Sequence, residues 1–359
     1  MSEKKPFNVW LLDTKGSVSI VNEIIKCLSS DKYIKTNVIS VDKNSAAKRS
    51  FNISSFHILD SNKDEWVAQI NSIVNDNDIN VLLPCEEPDA LFTLENHDKL
   101  SQYFSIASLP DESNYKTGIN KYKLAEYIRD KDIPCPDEVA KLNINDLKSE
   151  DFPIIAKPID GSGGVGIKKI NNHDQLSQLQ EEILGDGNIL IQKFMGDYDI
   201  DCSVFCKDGK ILAHTIQKGL LPDSDNFSPP LAITFVENNK VYEAAEKLMA
   251  ALNWSGIAHI DMRYDIKTDT AYIIEISGRY WASVLASCVA GVNFPKIACY
   301  DAIGQNISDN IDKKQISYAK YSSLLKLRKS GIKVDKTNFR HVIADPIPEI
   351  SIKLTKLFK

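Results

Sequence analysis

The chain has 359 residues, more than one typical hydrophobic core accommodates, so two or three domains are expected. Hydrophobic residues at 43% and charged residues at 26% exclude a disordered chain. With 43 Lys and Arg against 49 Asp and Glu, the net charge of −6 argues against a mainly electrostatic grip on nucleic acid or on an anionic membrane.

No stretch reaches the roughly 20 apolar residues of a membrane helix, and the apolar run Val9–Leu12 is too short for a signal-peptide core. The cysteines at 27, 85, 135, 202, 206, 288 and 299 are scattered and lack zinc-ligand spacing. Reduced thiols in a cytoplasmic protein are the expectation.

The first hundred residues alternate two kinds of segment. Phe7–Asp13 reads as a buried strand, and Ser17–Leu28 carries helical spacing through Val18, Val21, Ile24, Ile25 and Leu28. Thr36–Val41 is a second strand, Trp66–Val74 a second helix and Ile79–Pro84 a third strand. That alternation predicts a small parallel sheet covered by helices. The turn Asp13-Thr14-Lys15-Gly16-Ser17 lacks the GxGxxG dinucleotide fingerprint, so the shape is Rossmann-like without support for NAD. A polar stretch at Pro110–Thr117 marks a boundary. Beyond it come a helix at Lys121–Arg129, a strand ending at Pro158, a glycine loop, the strand Ile167–Ile170, a helix at Asp174–Leu184 and the strand Ile189–Phe194. Asp199–Phe205 pairs with Ile211–Gln217. A long loop at Gly219–Pro230 and a helix at Val241–Leu252 lead into a hairpin of Ile257–Tyr264 with Ala271–Ser277. The lysine-rich segment after about residue 311 has no readable pattern.

Gly161-Ser162-Gly163-Gly164-Val165-Gly166 contains a literal GxGxxG. A P-loop fails because Ile167 follows Gly166, and a Rossmann loop fails because the chain continues as a strand rather than a helix. A kinase loop fails for want of HRD and DFG motifs. A strand–loop–strand flap remains, preceded by Lys157 in the apolar strand Pro153–Pro158. Glycines there permit backbone N–H groups to lie over a polyphosphate. A plain flexible hairpin, with Lys157 reaching solvent from an edge, stands as the alternative.

Alternation along the 257–277 hairpin puts His259, Asp261 and Arg263 on one face, with Glu275, Ser277 and Arg279 on the matching face of the second strand. Asp261 then lies across from Glu275. Opposed carboxylates about 5 Å apart repel by roughly 3 kcal/mol at an effective dielectric of ~20. A shared divalent cation removes that repulsion; a salt-bridge network with Arg263 and Arg279 is the alternative.

With these residues in hand, the chain resembles the ATP-grasp ligases over residues 7 to 304, in the carboxylate–amine ligase and carbamoyl-phosphate-synthetase-like branch. Asn120-Lys121 followed by Ile133-Pro134-Cys135-Pro136 is similar to that family's "DK … GIPxP" opening, and Glu275-Ile276-Ser277-Gly278-Arg279-Tyr280-Trp281 is similar to "E-I-N-P/G-R-F-W". The resemblance implies an α/β and α+β chain. A Rossmann-like pre-ATP-grasp domain over 1–112 precedes two ATP-grasp subdomains over 113–190 and 191–310, and 311–359 is an unassigned extension. It also implies ATP as nucleotide and Mg²⁺ as metal, with Mn²⁺ as an alternative ion. Lys121 and Lys157 would meet the phosphates under Gly161, Ser162, Gly163, Gly164 and Val165. Gln192, Lys193 and Phe194 would form the adenine hinge, and Asp199 would meet the ribose. Asp261, Glu275 and Ser277 would hold metal, with Ser277 where the family carries Asn, and Arg279 would act with Lys157 on the transferring phosphoryl group.

The implied reaction joins a small carboxylate to an amine through an acyl phosphate, releasing ADP and phosphate. Phosphorylation without amide formation, and nucleotide binding without turnover, are the other readings. Lys218, Glu86 and Glu87 are candidate substrate contacts. His259 is a candidate for proton transfer or a structural histidine. Small molecules are the expected partners, and a homodimer is a candidate assembly.

Overall fold

A computed structural model describes residues 5–16, 18–74, 78–137, 147–159, 164–178, 189–221, 229–305 and 311–357. The expected helix at 174–184 is helical over 173–178 and otherwise lies outside these residues.

The chain opens with β1 (Phe7–Asp13), α1 (Val18–Leu28), β2 (Ile34–Ser40), β3 (Ser55–Ile58), α2 (Trp66–Ser72), β4 (Asn80–Pro84), α3 (Glu87–Glu95) and β5 (Ser105–Ile106). The strands form one parallel sheet in the order β3-β2-β1-β4-β5. Helices cover both faces, which is why β1 and β4 are almost wholly buried and mostly apolar. Trp10, Leu12, Ile39 and Leu82 face Trp66 and Ile70 of α2 on one side. Val9, Leu11 and Val81 face Val21, Ile24, Ile25 and Leu28 of α1 on the other.

That second core continues into distant sequence. It takes in Phe205, Tyr280 and Trp281, with residues of two later helices, α7 (Val284–Val289) and α8 (Phe294–Ala302). The N-terminal sheet and the rest of the chain therefore share buried apolar surface.

Between them lie α4 (Glu112–Gly118), α5 (Lys121–Arg129) and a three-stranded antiparallel sheet of β6 (Ile154–Pro158), β7 (Lys168–Ile170) and β8 (Ile189–Lys193), in the order β7-β6-β8. Leu147, Ile154, Ala156, Ile170, Leu176 and Ile191 close its small core.

The largest sheet has seven strands. Its members are β9 (Tyr198–Lys207), β10 (Lys210–Leu221), β11 (Ala232–Val236), β12 (Gly256–Asp265), β13 (Thr270–Ser277), β14 (Ser317–Ala319) and β15 (Lys336–Thr337), ordered β13-β12-β9-β10-β11-β14-β15. One face is apolar: Ile200, Cys202, Val204, Ile260 and Met262 pack under α6 (Asn239–Ala251) through Val241, Ala245, Leu248 and Met249. By strand alternation the other face carries the polar residues.

The unread C-terminal segment supplies the sheet's far edge and then α9 (Phe339–Ala344) and α10 (Pro346–Leu357). Asp345 is buried, where it accepts hydrogen bonds from Phe51 N and from Asn52 Nδ2, and Lys26 meets Glu349 at 3.5 Å. The segment thus docks back on the N-terminal unit.

Candidate active site

The polar face is organised by one irregularity. β12 and β13 leave their turn with Asp265 opposite Thr270 and reach Met262 opposite Ile273. Unbroken, that register would set Asp261 against Ile274. A bulge at Ile274 brings Glu275 opposite Asp261 instead, followed by Ile260–Ile276 and His259–Ser277. The carbonyl of Ile274 accepts a 3.4 Å hydrogen bond from Lys157 Nζ.

Asp261 is also opposite Asp201 of β9, which is opposite Gln217 of β10. One row therefore crosses four strands as Glu275, Asp261, Asp201 and Gln217. The next row reads Ser277, His259, Ser203 and Thr215. Gln217 Nε2 donates to Asp201 at 3.1 Å, and Ser283 Oγ donates to Gln217 Oε1 at 2.9 Å. Withdrawal from bulk water, reinforced by Asp201 and Glu275, holds the Asp261 carboxyl well above the usual carboxylate range. Burial likewise raises Asp201 to about 7 against the opposing Gln217 hydrogen bond.

Two lysines stand over this row. Asn120 caps α5 by accepting from Lys123 N at 2.9 Å, which sets Lys121 at the helix start with Nζ 3.1 Å from Glu275 Oε2. Lys157, the penultimate residue of β6, is 3% exposed. Burial lowers it to about 8, Lys121 adding to that and Glu275 and Asp261 opposing it. A lysine this buried, facing carboxylates and a second lysine, sits where an anion and a cation would together balance the charge.

The end of β13 reaches the N-terminal unit. Arg279 Nε lies 3.3 Å from Glu86 Oε2, and its Nη1 donates to Tyr280 O at 2.8 Å. Glu86 follows β4 at the carboxyl end of the parallel sheet, where open α/β sheets bind ligands. Asp89 fixes that end: it accepts from Thr14 N at 2.7 Å and from Glu86 N at 2.7 Å. Burial raises its carboxyl to about 7 despite these hydrogen bonds. Burial also raises Glu87, with Arg279 opposing. Between Ser277 and Arg279, Gly278 admits the Tyr115 ring: a Cβ there would lie 2.7 Å from Tyr115 Cε2, and Tyr115 Oη donates to Gly278 O at 2.9 Å.

His259 stacks on Trp281 at 5.2 Å and 10°, with Nδ1 2.9 Å from Ser203 Oγ and Nε2 3.2 Å from Asp261 Oδ1. Burial, with Arg279 adding, pushes its pKa down to about 3, so the ring is neutral at pH 7.

The other sequence candidates are placed as follows. Gly161, Ser162 and Gly163 lie outside the described residues. Gly164 and Gly166 both have φ +79°, and Val165 between them is 78% exposed at the tip joining β6 to β7. In the hinge, Gln192 is buried, Lys193 N donates to Asp137 O and Phe194 N to Pro153 O. Lys169 Nζ and Arg263 Cζ lie 4.0 and 4.2 Å from the Phe194 ring centroid. Asp199 is 2.5 Å from Arg263 Nη1. Lys218 is not brought to the site. Alternation along β10 puts it on the face opposite Gln217, where Nζ lies 3.4 Å from the Tyr198 ring centroid. Sequence reasoning missed Asp201, although Asp199, Asp201 and Ser203 alternate with Ile200, Cys202 and Val204 as plainly as the hairpin does.

The carboxylates of Asp261, Glu275 and Asp201 with the hydroxyl of Ser277 make an oxygen-rich donor set that fits a hard divalent cation. The lysines beside it fit a polyphosphate. Residues 119–283, which contain all of these except the Glu86 region, match the family described as the ATP-grasp domain.

Over this part, just under half of its length, the chain is similar to the ATP-grasp domain. Among curated proteins, a D-alanine–D-alanine ligase of Bacillus anthracis is 27% identical over 171 residues, 44% of this chain and 55% of the ligase. A carbamoyl phosphate synthase large chain of Caldanaerobacter subterraneus is 25% identical over 206 residues, 53% of this chain and 19% of that protein. The matches thus span about half of the first relative and a fifth of the second. Among solved structures, an L-amino acid ligase from Bacillus licheniformis superimposes with a TM-score of 0.61 at 16% identity, covering 88% of this chain and 79% of the other. That likeness concerns the fold: a parallel sheet followed by a three-stranded and a seven-stranded sheet. No described helix is long and apolar enough to cross a membrane.

Proposed function

We propose that this protein is an ATP-dependent ligase joining a small carboxylate to an amine. The observation that carries the reading is the row Glu275–Asp261–Asp201 with Lys121 and Lys157 above it, inside the residues similar to the ATP-grasp domain. The substrate carboxylate oxygen attacks the γ-phosphorus of ATP, and ADP leaves. The amine then attacks the carbonyl carbon of the acyl phosphate; phosphate leaves and the nitrogen loses a proton.

Asp261, Glu275 and Ser277 would hold Mg²⁺, whose chemistry is to neutralise charge on the phosphate oxygens. Lys121 and Lys157 supply positive charge to the phosphates in a site withdrawn from water, where each is worth more than in solution. Gly164 and Gly166, both at positive φ, let the backbone ahead of β7 approach the phosphates closely. Gln192, Lys193 and Phe194 face the base, and Asp199 the ribose. Arg279 is aimed at the transferring phosphoryl group, with Glu86 holding its guanidinium. Glu86 and Glu87, at the carboxyl end of the parallel sheet, put the substrate side of the site at the junction with the N-terminal unit.

The match to a carbamoyl phosphate synthase favours a second reading, phosphorylation of a small carboxylate or carbamate without amide formation. The two separate on one test. A ligase releases ADP only when an acid and an amine are both supplied, whereas the second reading needs no amine.

A further inference from the structure

Asp201, His259 and Asp261 lie at facing and neighbouring positions on β9 and β12, and the proposed reaction gives the imidazole no part. One ligand atom of each lies within 4.8 Å of the others: Nε2 is 3.2 Å from Asp261 Oδ1 and 3.8 Å from Asp201 Oδ2. Donors bound to one ion at about 2.1 Å stand roughly 3 Å apart at right angles and about 4.2 Å apart when opposed. The two separations from His259 Nε2 fall inside that range.

We propose that His259 Nε2 is a nitrogen ligand of the divalent cation at this site, together with Asp261 and Asp201, and that the site therefore prefers a first-row transition ion such as Mn²⁺ to Mg²⁺. The inference rests on reading this face as a metal-dependent nucleotide site. Three features support it. The ring is buried and held flat against Trp281, so its orientation is fixed before any ion arrives. Its far nitrogen meets a hydroxyl: Ser203 Oγ can accept from Nδ1–H, which leaves the Nε2 lone pair facing the carboxylates. Asp201 is oriented from behind by Gln217, itself held by Ser283.

The ladder adds a reason for the imidazole. His259 is the residue directly opposite Ser277. A serine hydroxyl is a short donor, and the facing strand supplies a longer one at the same level of the sheet. Oxygen donors alone suit Mg²⁺, whereas an imidazole in the set shifts preference toward transition ions.

The test is pulsed electron paramagnetic resonance of Mn²⁺ bound to the full chain, with no nucleotide and no turnover. The native protein should show nitrogen modulation that disappears in His259→Asn. Mn²⁺ affinity should fall about tenfold or more in that variant, and Mg²⁺ affinity should change far less. Asp201→Asn should weaken Mn²⁺ while keeping the nitrogen signal. Absence of nitrogen modulation in the native protein, its persistence in His259→Asn, or failure to bind Mn²⁺ overturns the proposal, and the native spectrum decides even if a variant misfolds. Nitrogen-coupled Mn²⁺ in a protein that forms no ADP would sink the ligase reading and leave this inference standing. ADP formation without nitrogen coupling would do the reverse.

Discussion

Arg279 and Glu86, 193 positions apart in sequence, form a 3.3 Å ion pair that ties the end of β13 to the carboxyl end of β4. The Glu86 side chain is 6% exposed and that of Arg279 19%, so neither charge is easily solvated alone. The pair places Arg279, just past the end of β13, against the carboxyl end of the N-terminal sheet.

Removing one partner should cost about 2–4 kcal/mol, because the other is left buried and uncompensated. Glu86→Gln and Arg279→Met are expected to lower stability by similar amounts in urea unfolding. Their ADP-forming rates should differ: Arg279→Met should lose at least about 100-fold, and Glu86→Gln much less. Equal rate losses would make Arg279 a strut rather than a phosphoryl contact.

Lys157 gives a pH signature whose sign is fixed. Its folded value is about 8, against 10.5 for an ordinary lysine. Between those values the unfolded chain holds more protons, so stability rises with pH through that window. Below about 8 the cost of burying the charge is present in full. Native protein should therefore gain on Lys157→Met between pH 8 and 10 in matched unfolding experiments. Nucleotide affinity should move the other way, weakening as the pH passes about 8 and Lys157 loses its charge.

Gly278→Ala should destabilise by about 1–3 kcal/mol, because its Cβ would stand 2.7 Å from the Tyr115 ring. Tyr115→Leu in the same chain should recover part of that loss. A double-mutant cycle with no coupling would show that the ring does not set the position of residues 277–279.

Lys218→Ala should leave ADP formation within about twofold of native and cost no more than about 1 kcal/mol, the scale of an exposed cation–π contact. A large rise in the KM of either substrate would mean that β10 reaches substrate from its other face.

Much of this site is visible in the sequence because a strand's period of two sorts polar from apolar residues. His259, Asp261 and Arg263 could be separated from Ile260 and Met262 by alternation alone. The pairing of Asp261 with Glu275 also follows from a turn centred at Thr268, although the hairpin reaches it by a different route. It turns more tightly and then inserts Ile274 as a bulge. Bulges leave little mark in a sequence, since one extra residue in a strand looks like any other. β3 and β5 were not legible for a different reason. Each is short and only half-buried, and its strand state comes from pairing with β2 or β4. The Arg279–Glu86 contact depends on how the parallel sheet packs against α7 and α8, which no local pattern encodes. Asp345 in the C-terminal segment likewise became interpretable only beside Ser50, Phe51 and Asn52.

The most direct measurement is ADP release from Mg-ATP with pooled carboxylates and pooled amines, offered singly and together, with Glu275→Gln alongside. The account predicts ADP only when one acid pool and one amine pool are combined, falling at least about 100-fold in Glu275→Gln. ADP released at the same rate by the native protein and by Glu275→Gln, or released without any amine, would contradict it.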